Sequence, residues 1–297
     1  MILKRLKNLI RNINYLSKHS LYDRREEDIV YLTQKILDDM LYEYDIASDK
    51  KSKLRILDKN NSVEQIVSSN KSFVRFGDGE INLLMGISQP FQKYEKEIGD
   101  RLFSLLKNPR EDIYVCLNRE YYLPNLCKNE VDREYLIRNA YDFRCFFEKN
   151  CNPENTYLDA TCTFYYWDDF GEEADAFWSK WKEAFRDKKL VIVCGEGILD
   201  KLEYDVFEYA ASKRFIYGPR RNAWDKHDEL IASIREEADF DEYIIFILGM
   251  AGKAMIPEVT DMGYIAWDIG HLAKSYNAYM TRMPETKENI ADFFAPD

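Results

Sequence analysis

The clearest pattern of apolar and polar positions lies between residues 190 and 267. Leu190–Cys194 is an apolar run of strand length closed by Gly195, and Leu199–Ala211 then has the three- and four-residue spacing of a helix. Arg214–Tyr217 reads as a strand, Asn222–Glu237 as a helix, Tyr243–Leu248 as a buried strand closed by Gly249, Lys253–Met262 as a helix, and Tyr264–Trp267 as a final strand. Short strands alternating with longer helices imply βαβ units and a parallel sheet. Ligands bind beyond the carboxyl ends of the strands in such sheets. Attention therefore falls on the loops Gly195–Gly197, Gly218–Asn222, Gly249–Gly252 and Asp268–His271.

Earlier in the chain, Ser72–Phe76 is a short strand running into the turn Gly77-Asp78-Gly79-Glu80. Two helical stretches precede it. In the first, Ile2, Leu6, Leu9, Ile10, Ile13 and Leu16 recur at helical steps; in the second, over Glu27–Tyr44, Ile29, Leu32, Ile36, Leu37, Met40 and Leu41 share a stripe, and the polar run Ser48–Lys53 ends it. No internal repeat and no Pro/Gly/Ser-rich linker divides the remainder. The expected organisation is a helical extension over residues 1–66 and a single α/β domain over 67–297.

Composition narrows the function. The chain has 297 residues, 46% of them hydrophobic, with only 12 Gly and 8 Pro, which excludes collagen-like, low-complexity and disordered classes. No apolar run approaches the ~18 residues of a membrane span. A net charge of −11 argues against nucleic acid, and a phosphorylated ligand must be held locally. The charge is uneven, because Lys4, Arg5, Lys7, Arg11, Lys18, Arg24 and Arg25 stand against Asp23 alone in residues 1–25. That segment reads as a basic amphipathic helix lying on an anionic membrane surface. Docking on its own domain or on a second copy is the alternative, so self-association stays open. The six cysteines form no C-x-x-C pair and the three histidines no zinc pattern. No secretory signal is visible, and the expected location is the cytoplasm, with the inner face of the membrane as a second site if the basic helix binds lipid.

Several motifs fail on inspection. Gly195-Glu196-Gly197 lacks the third glycine of a dinucleotide fingerprint, since position 200 is Asp. Gly249-Met250-Ala251-Gly252-Lys253 is no P-loop, because Ile247 stands where its first glycine belongs and Ala254 where a Ser or Thr would hold magnesium. What remains is that Gly195, Gly249 and Gly252 at strand ends let backbone N–H groups approach a phosphate. Asp78 and Glu80, separated by one glycine, can both turn toward one divalent cation as hard oxygen ligands, with Arg75 placed to counter a phosphate or orient a carboxylate. Tyr165, Tyr166 and Trp167, beside Asp168 and Asp169, suggest a sugar-stacking wall, whereas Phe177 and Trp181, four apart, belong to one buried helix face.

Four dispersed segments resemble the GT-D glycosyltransferases over about residues 67–280: Arg75-Phe76-Gly77-Asp78-Gly79-Glu80, Phe91-Gln92-Lys93-Tyr94 opening an amphipathic helix, Pro219-Arg220-Arg221-Asn222-Ala223-Trp224, and Gly263 through His271. The resemblance implies a single Rossmann-like domain, a nucleotide-diphosphate sugar donor such as a UDP-sugar, and a divalent metal, Mn2+ or Mg2+, served by Asp78 and Glu80. It also implies that Asp268 and His271 face the donor and that Asn222 lies in the nucleotide pocket, while Arg75, Gly77, Gly195, Glu196, Gly249 and Gly252 are substrate-site candidates by their place at strand ends. The chain departs from the family at Gly249–Gly252 and at Thr161–Tyr165.

The chemistry expected is metal-dependent transfer of a sugar to a surface glycan or glycoprotein, with Asp268, His271 and Glu196 as strand-end candidates for the general base. A phosphohydrolase or phosphotransferase acting on nucleotide sugars would use the same carboxylates. A non-catalytic, membrane-recruited subunit would use neither.

Overall fold

The computed structural model describes residues 26–47, 54–122, 130–165, 170–284 and 286–294, with residues 7, 10 and 13 as isolated helical positions. In chain order the elements begin with α1 (Glu26–Ala47), β1 (Arg55–Ile56), α2 (Lys59–Val67), β2 (Ser72–Phe76), α3 (Asp78–Leu84), α4 (Lys96–Lys107), β3 (Ile113–Leu117), α5 (Glu130–Asn150) and β4 (Thr156–Asp159). They continue with α6 (Glu172–Phe185), β5 (Lys189–Gly195), β6 (Ser212–Gly218), α7 (His227–Glu237), β7 (Glu242–Ile247), α8 (Gly249–Asp261), β8 (Ile265–Asp268), α9 (Leu272–Met280) and α10 (Lys287–Phe294).

Two compact units result, one of residues 1–54 with 120–154 and the other of 55–119 with 155–297. This division differs from a boundary after residue 66, because β1 already pairs with β4 and α2 belongs with the sheet. In the smaller unit, Leu32 and Ile36 of α1 pack on Ile137 of α5 with Met40 alongside. Lys35 Nζ donates to Asp142 at 2.6 Å, and buried Arg144 pairs with Asp39. Leu37 and Leu41 of the expected stripe are exposed.

The larger unit carries one eight-stranded sheet in the order β1-β4-β3-β2-β8-β7-β5-β6, and all its pairings are parallel. Near-continuous apolar strands such as Leu190–Cys194 are what a sheet covered on both faces requires. One face is built on aromatics. Phe73 of β2 lies opposite Trp267 of β8 with ring centroids 6.0 Å apart, Trp181 of α6 packs against both rings, and Phe185 packs against Trp267. The indole N–H groups of Trp181 and Trp267 donate to the carbonyls of Cys162 and Lys71, so neither buried ring strands a donor. Each such ring contributes roughly 1.5–3 kcal/mol by burial. Phe177 and Trp181 are both buried on α6, as their spacing suggests.

One expected element does not form. Residues 196–211 run in turns, with no helix over Leu199–Ala211. The backbone donors there are taken by side chains: Asn277 Oδ1 accepts from Glu203 and Tyr204, and Asp205 Oδ1 accepts from Phe207. Such bonds compete with helix formation, while Val206 and Phe207 still drop into the core. Similarly, Phe91–Tyr94 does not open a helix, since α4 begins at Lys96. In the other direction, α8 starts at Gly249, ahead of the expected Lys253.

Candidate functional site

At the centre of the sheet β2 pairs with β8, the last strand of the chain, and the crevice beyond the carboxyl ends of parallel strands is where such a sheet binds ligands. Arg75 on β2 and Asp268 at the end of β8 face each other across that junction. The Asp268 carboxylate accepts from the Arg75 backbone N–H at 3.2 Å, from Nε at 3.0 Å and from Nη2 at 3.1 Å, and the Asp268 carbonyl accepts from Nε at 3.0 Å. Gly270 makes room for this fork. Its φ is +47°, and a Cβ there would sit 2.0 Å from Arg75 Nη2.

A second cation joins from α8. Lys253, 7% exposed, places Nζ 2.6 Å from Glu80 Oε1 and 3.7 Å from Asp268 Oδ2, and those two residues are 5% and 2% exposed. Arg75, Asp268, Lys253 and Glu80 thus form one buried chain of alternating charge. Burial alone would raise the Asp268 carboxyl, but Arg75 and Lys253 outweigh it and hold the group below the usual carboxylate range. Burial would likewise lower the Arg75 guanidinium, and Asp268 more than reverses that.

The Gly77–Glu80 segment is a helix start, in place of the open turn its glycines suggest. Neither Gly77 nor Gly79 has positive φ. Glu80 is the third residue of α3, and its Oε2 accepts from Gly77 N–H at 2.8 Å, the reach-back of a capping box. The two acidic residues consequently part company: Asp78 is exposed at the first position of α3, whereas Glu80 turns inward with one oxygen on Lys253 and the other on Gly77. A divalent cation takes hard oxygen ligands and is often bound by only one or two carboxylates together with substrate phosphates. The donor set fits that arrangement through Asp78, and does not fit a cation gripped by both carboxylates.

His271 follows the end of β8. Its ring centroid lies 5.3 Å and 5.4 Å from those of Phe293 and Phe294 of α10, and 6.5 Å from that of Phe91. Burial first, then the cations Lys274, Arg75 and Lys253, push the imidazole down to about 3, so it is neutral at pH 7. Asp268, locked by Arg75, and His271, so weakly basic, are both poor proton acceptors.

The remaining residues divide between two places. Gly195 ends β5, and Glu196 with Gly197 lines an open cavity of about 520 Å3 together with Gly218, Pro219, Arg220 and Arg221. Arg220 is tied back by its Nε donating to the Glu196 carbonyl at 2.6 Å. Asn222 commits its side-chain oxygen and its backbone N–H to a neighbouring loop. It adopts a left-handed conformation, its Oδ1 accepts from Lys93 N–H at 2.9 Å, and its N–H donates to the Phe91 carbonyl at 2.8 Å. With Gln92 Oε1 accepting from Trp224 N–H, this pins the 91–93 loop to the start of the α7 region. Gly249 opens α8, while Gly252 is packed against Phe246 and Leu248.

Tyr165 packs on Phe177 with centroids 5.1 Å apart and belongs to the core. Tyr166, Trp167, Asp168 and Asp169 lie outside the described residues. Lys253 is the participant that motif reading passes over. Its signal is a lone cation inside the otherwise apolar run Met250–Ile256.

A profile of the glycosyltransferase GT-D fold family matches residues 73–292. A probable glycosyl transferase, Gly, of Streptococcus gordonii is 27% identical over 241 residues, covering 78% of this chain and 34% of that protein. The glycosyltransferase GlyD of Streptococcus pneumoniae is 28% identical over 228 residues, covering 73% of this chain and 26% of that protein. The chain therefore spans about a third or less of the length of these curated relatives. A solved domain described as having a distinct glycosyltransferase fold superposes with a TM-score of 0.70 at 27% identity, over 78% of this chain and 83% of that one. A glycosyltransferase structure from Streptococcus sanguinis gives 0.70 at 25% identity, over 77% and 86%.

Proposed function

Since the chain belongs to the GT-D glycosyltransferase fold family, we propose that it transfers a sugar from a nucleotide-diphosphate donor, a UDP-sugar, to a glycan or glycoprotein acceptor. The observation that carries this reading is the buried charge chain Arg75–Asp268–Lys253–Glu80 at the β2/β8 junction. A buried, fully paired network at the carboxyl ends of parallel strands holds its parts rigid, and rigid charges are what stabilise charge developing on a leaving diphosphate.

Within this reading, Lys253 and Arg75 give the crevice a positive side while Glu80 and Asp268 fix where those cations stand. The first turn of α8 adds backbone N–H groups that favour an anion. Asp78 would hold a Mn2+ or Mg2+ ion accompanying the diphosphate, and such an ion, when bound, neutralises the charge released on the leaving group. Among the three candidate bases, Glu196 is exposed at the end of β5 and lines the open cavity, so it is the one we assign to accept the proton of the acceptor hydroxyl.

No described helix is long and apolar enough to cross a membrane. Ile10 and Ile13 of the basic N-terminal segment are about half exposed, which supports its lying on an anionic membrane surface. The function is tested by incubating the chain with labelled UDP-sugars and Mn2+ and following both UDP release and sugar transfer. Turnover of one donor, lost in Asp78→Asn, is the expected result. A chain that neither binds nor turns over any nucleotide sugar refutes the proposal.

A further inference from the structure

The edge strand β6 carries an aromatic pair that its surroundings leave open. Phe215 and Tyr217 flank buried Ile216, so both point to one face of the sheet, and they pair in register with Ile192 and Cys194, the core-facing residues of β5. Their face is thus the one that α6 covers further in. At the edge the connection after β5 crosses in turns, and Phe207 packs back against Phe185, with centroids 4.8 Å apart. Phe215 remains 37% and Tyr217 51% exposed, with ring planes parallel to within 3° and centroids 5.7 Å apart.

The pair leads into the cavity described above. Gly218, which follows Tyr217, lines it with Glu196, and the Tyr217 phenol is pushed above its usual range by partial desolvation and by its neighbours Cys194, Asp200 and Glu196. Glu196 and Asp200 beside the exposed ring can accept hydrogen bonds from hydroxyl groups, and Arg220 and Arg221 of the same cavity can donate to them. The apolar ring face suits the apolar face of a pyranose. Two rings set along the strand also extend away from the carboxyl-end crevice, which fits a chain of sugars better than one nucleobase.

We propose that Phe215 and Tyr217 form a carbohydrate platform that carries the neutral glycan portion of the acceptor, with Glu196 and Asp200 accepting hydrogen bonds from its hydroxyls. The assignment of this ligand as acceptor rests on the glycosyl-transfer reading. Binding measured without any donor separates the two.

The test is titration of the chain, in the absence of nucleotide, with an α-linked and a β-linked glucose hexasaccharide, followed by calorimetry and by saturation-transfer NMR. One of them binds the native chain, Tyr217→Ala and Phe215→Ala each weaken it about tenfold or more, and Tyr217→Phe, which keeps the ring, retains it. The proposal is overturned if neither sugar binds, if Tyr217→Ala binds as tightly as the native chain, or if UDP displaces the sugar. It is also overturned if the native chain sediments as a dimer that Tyr217→Ala converts to monomer, since the pair then belongs to a contact between copies. Tyr217-dependent sugar binding by a chain that turns over no nucleotide sugar supports the platform while removing the transfer reading.

Discussion

Replacing Lys253 by Met tests the buried charge chain most directly. Methionine keeps most of the volume of the lysine stem, so little cavity is created, and what is lost is the ammonium 2.6 Å from Glu80 and 3.7 Å from Asp268. Asp268 retains Arg75, but Glu80, 5% exposed, keeps only the Gly77 N–H among the contacts described above. An uncompensated buried charge costs about 3–5 kcal/mol, a large part of the 5–15 kcal/mol that typically stabilises a domain. Glu80→Gln strands the opposite charge less severely, because Lys253 still has Asp268 nearby. The double variant Glu80→Gln, Lys253→Met should recover at least about 1.5 kcal/mol relative to the sum of the single losses. All five tryptophans fall within residues 155–297, so tryptophan fluorescence during urea unfolding reports the sheet unit without the smaller one. A Lys253→Met midpoint equivalent to less than 1 kcal/mol of destabilisation, or a cycle with no coupling, would refute the network as a stabilising and positioning device.

The two acidic residues of α3 should separate in experiment: Asp78→Asn lowers turnover roughly 100-fold and removes its dependence on Mn2+ with little change in stability, whereas Glu80→Gln destabilises the fold. Superimposable Mn2+ titrations for Asp78→Asn and the native chain would contradict the assignment. His271, pushed down to about 3 from 6.5, refuses a proton that the unfolded chain accepts, so stability falls as pH drops from 6.5 toward 3, by up to ~1.4 kcal/mol per pH unit. His271→Gln should flatten that slope in urea midpoints measured across the range, and an unchanged slope assigns the acid sensitivity elsewhere. Asn222→Ala removes the acceptor for Lys93 N–H and leaves Ala in a left-handed conformation, together about 2 kcal/mol of local stability. Hydrogen exchange at Lys93 should quicken, and unchanged protection would return the residue to the nucleotide pocket. Deleting residues 1–25 should reduce binding to anionic vesicles, and equal binding by the shortened chain would end the membrane assignment.

In the C-terminal half of the fold β5 and β7 are legible because they are apolar runs closed by glycine, a signal carried entirely by local sequence. The Leu199–Ala211 segment misled for the opposite reason: its apolar spacing is real and buries Val206 and Phe207, but the side chains of Asn277 and Asp205 take the backbone donors a helix would need. At the candidate site the sequence singles out Arg75, Asp268, Glu80 and His271, but not how they stand relative to one another. Whether Glu80 faces a cation or a lysine depends on α8 arriving from far along the chain, and no spacing within Gly77–Glu80 encodes that arrival. Asn222 shows the same limit. Its residue type suits both a pocket and a left-handed turn, and only the neighbouring 91–93 loop decides between them.

The position of β8 bears on how the molecule comes into being. This strand is the last of the eight in sequence, yet it sits between β2 and β7 and, among the described strands, joins those that precede residue 160 to β5, β6 and β7. Until Ile265–Asp268 has been synthesised, β2 and β7 each present an open, apolar parallel edge, and such edges invite pairing with the wrong chain. Pairing of β2 with β8 joins residues nearly 200 positions apart, as in the 193 separating Arg75 from Asp268, so closure pays the entropy of a very long loop and assembly is expected to be slow. A chain halted after β7 but before residue 265 would hold two half-sheets with no seam between them, and the same late event that joins them also brings Asp268 to Arg75. Closure of the sheet and the pairing of Arg75 with Asp268 are therefore a single step, which leaves no intact sheet without that pair.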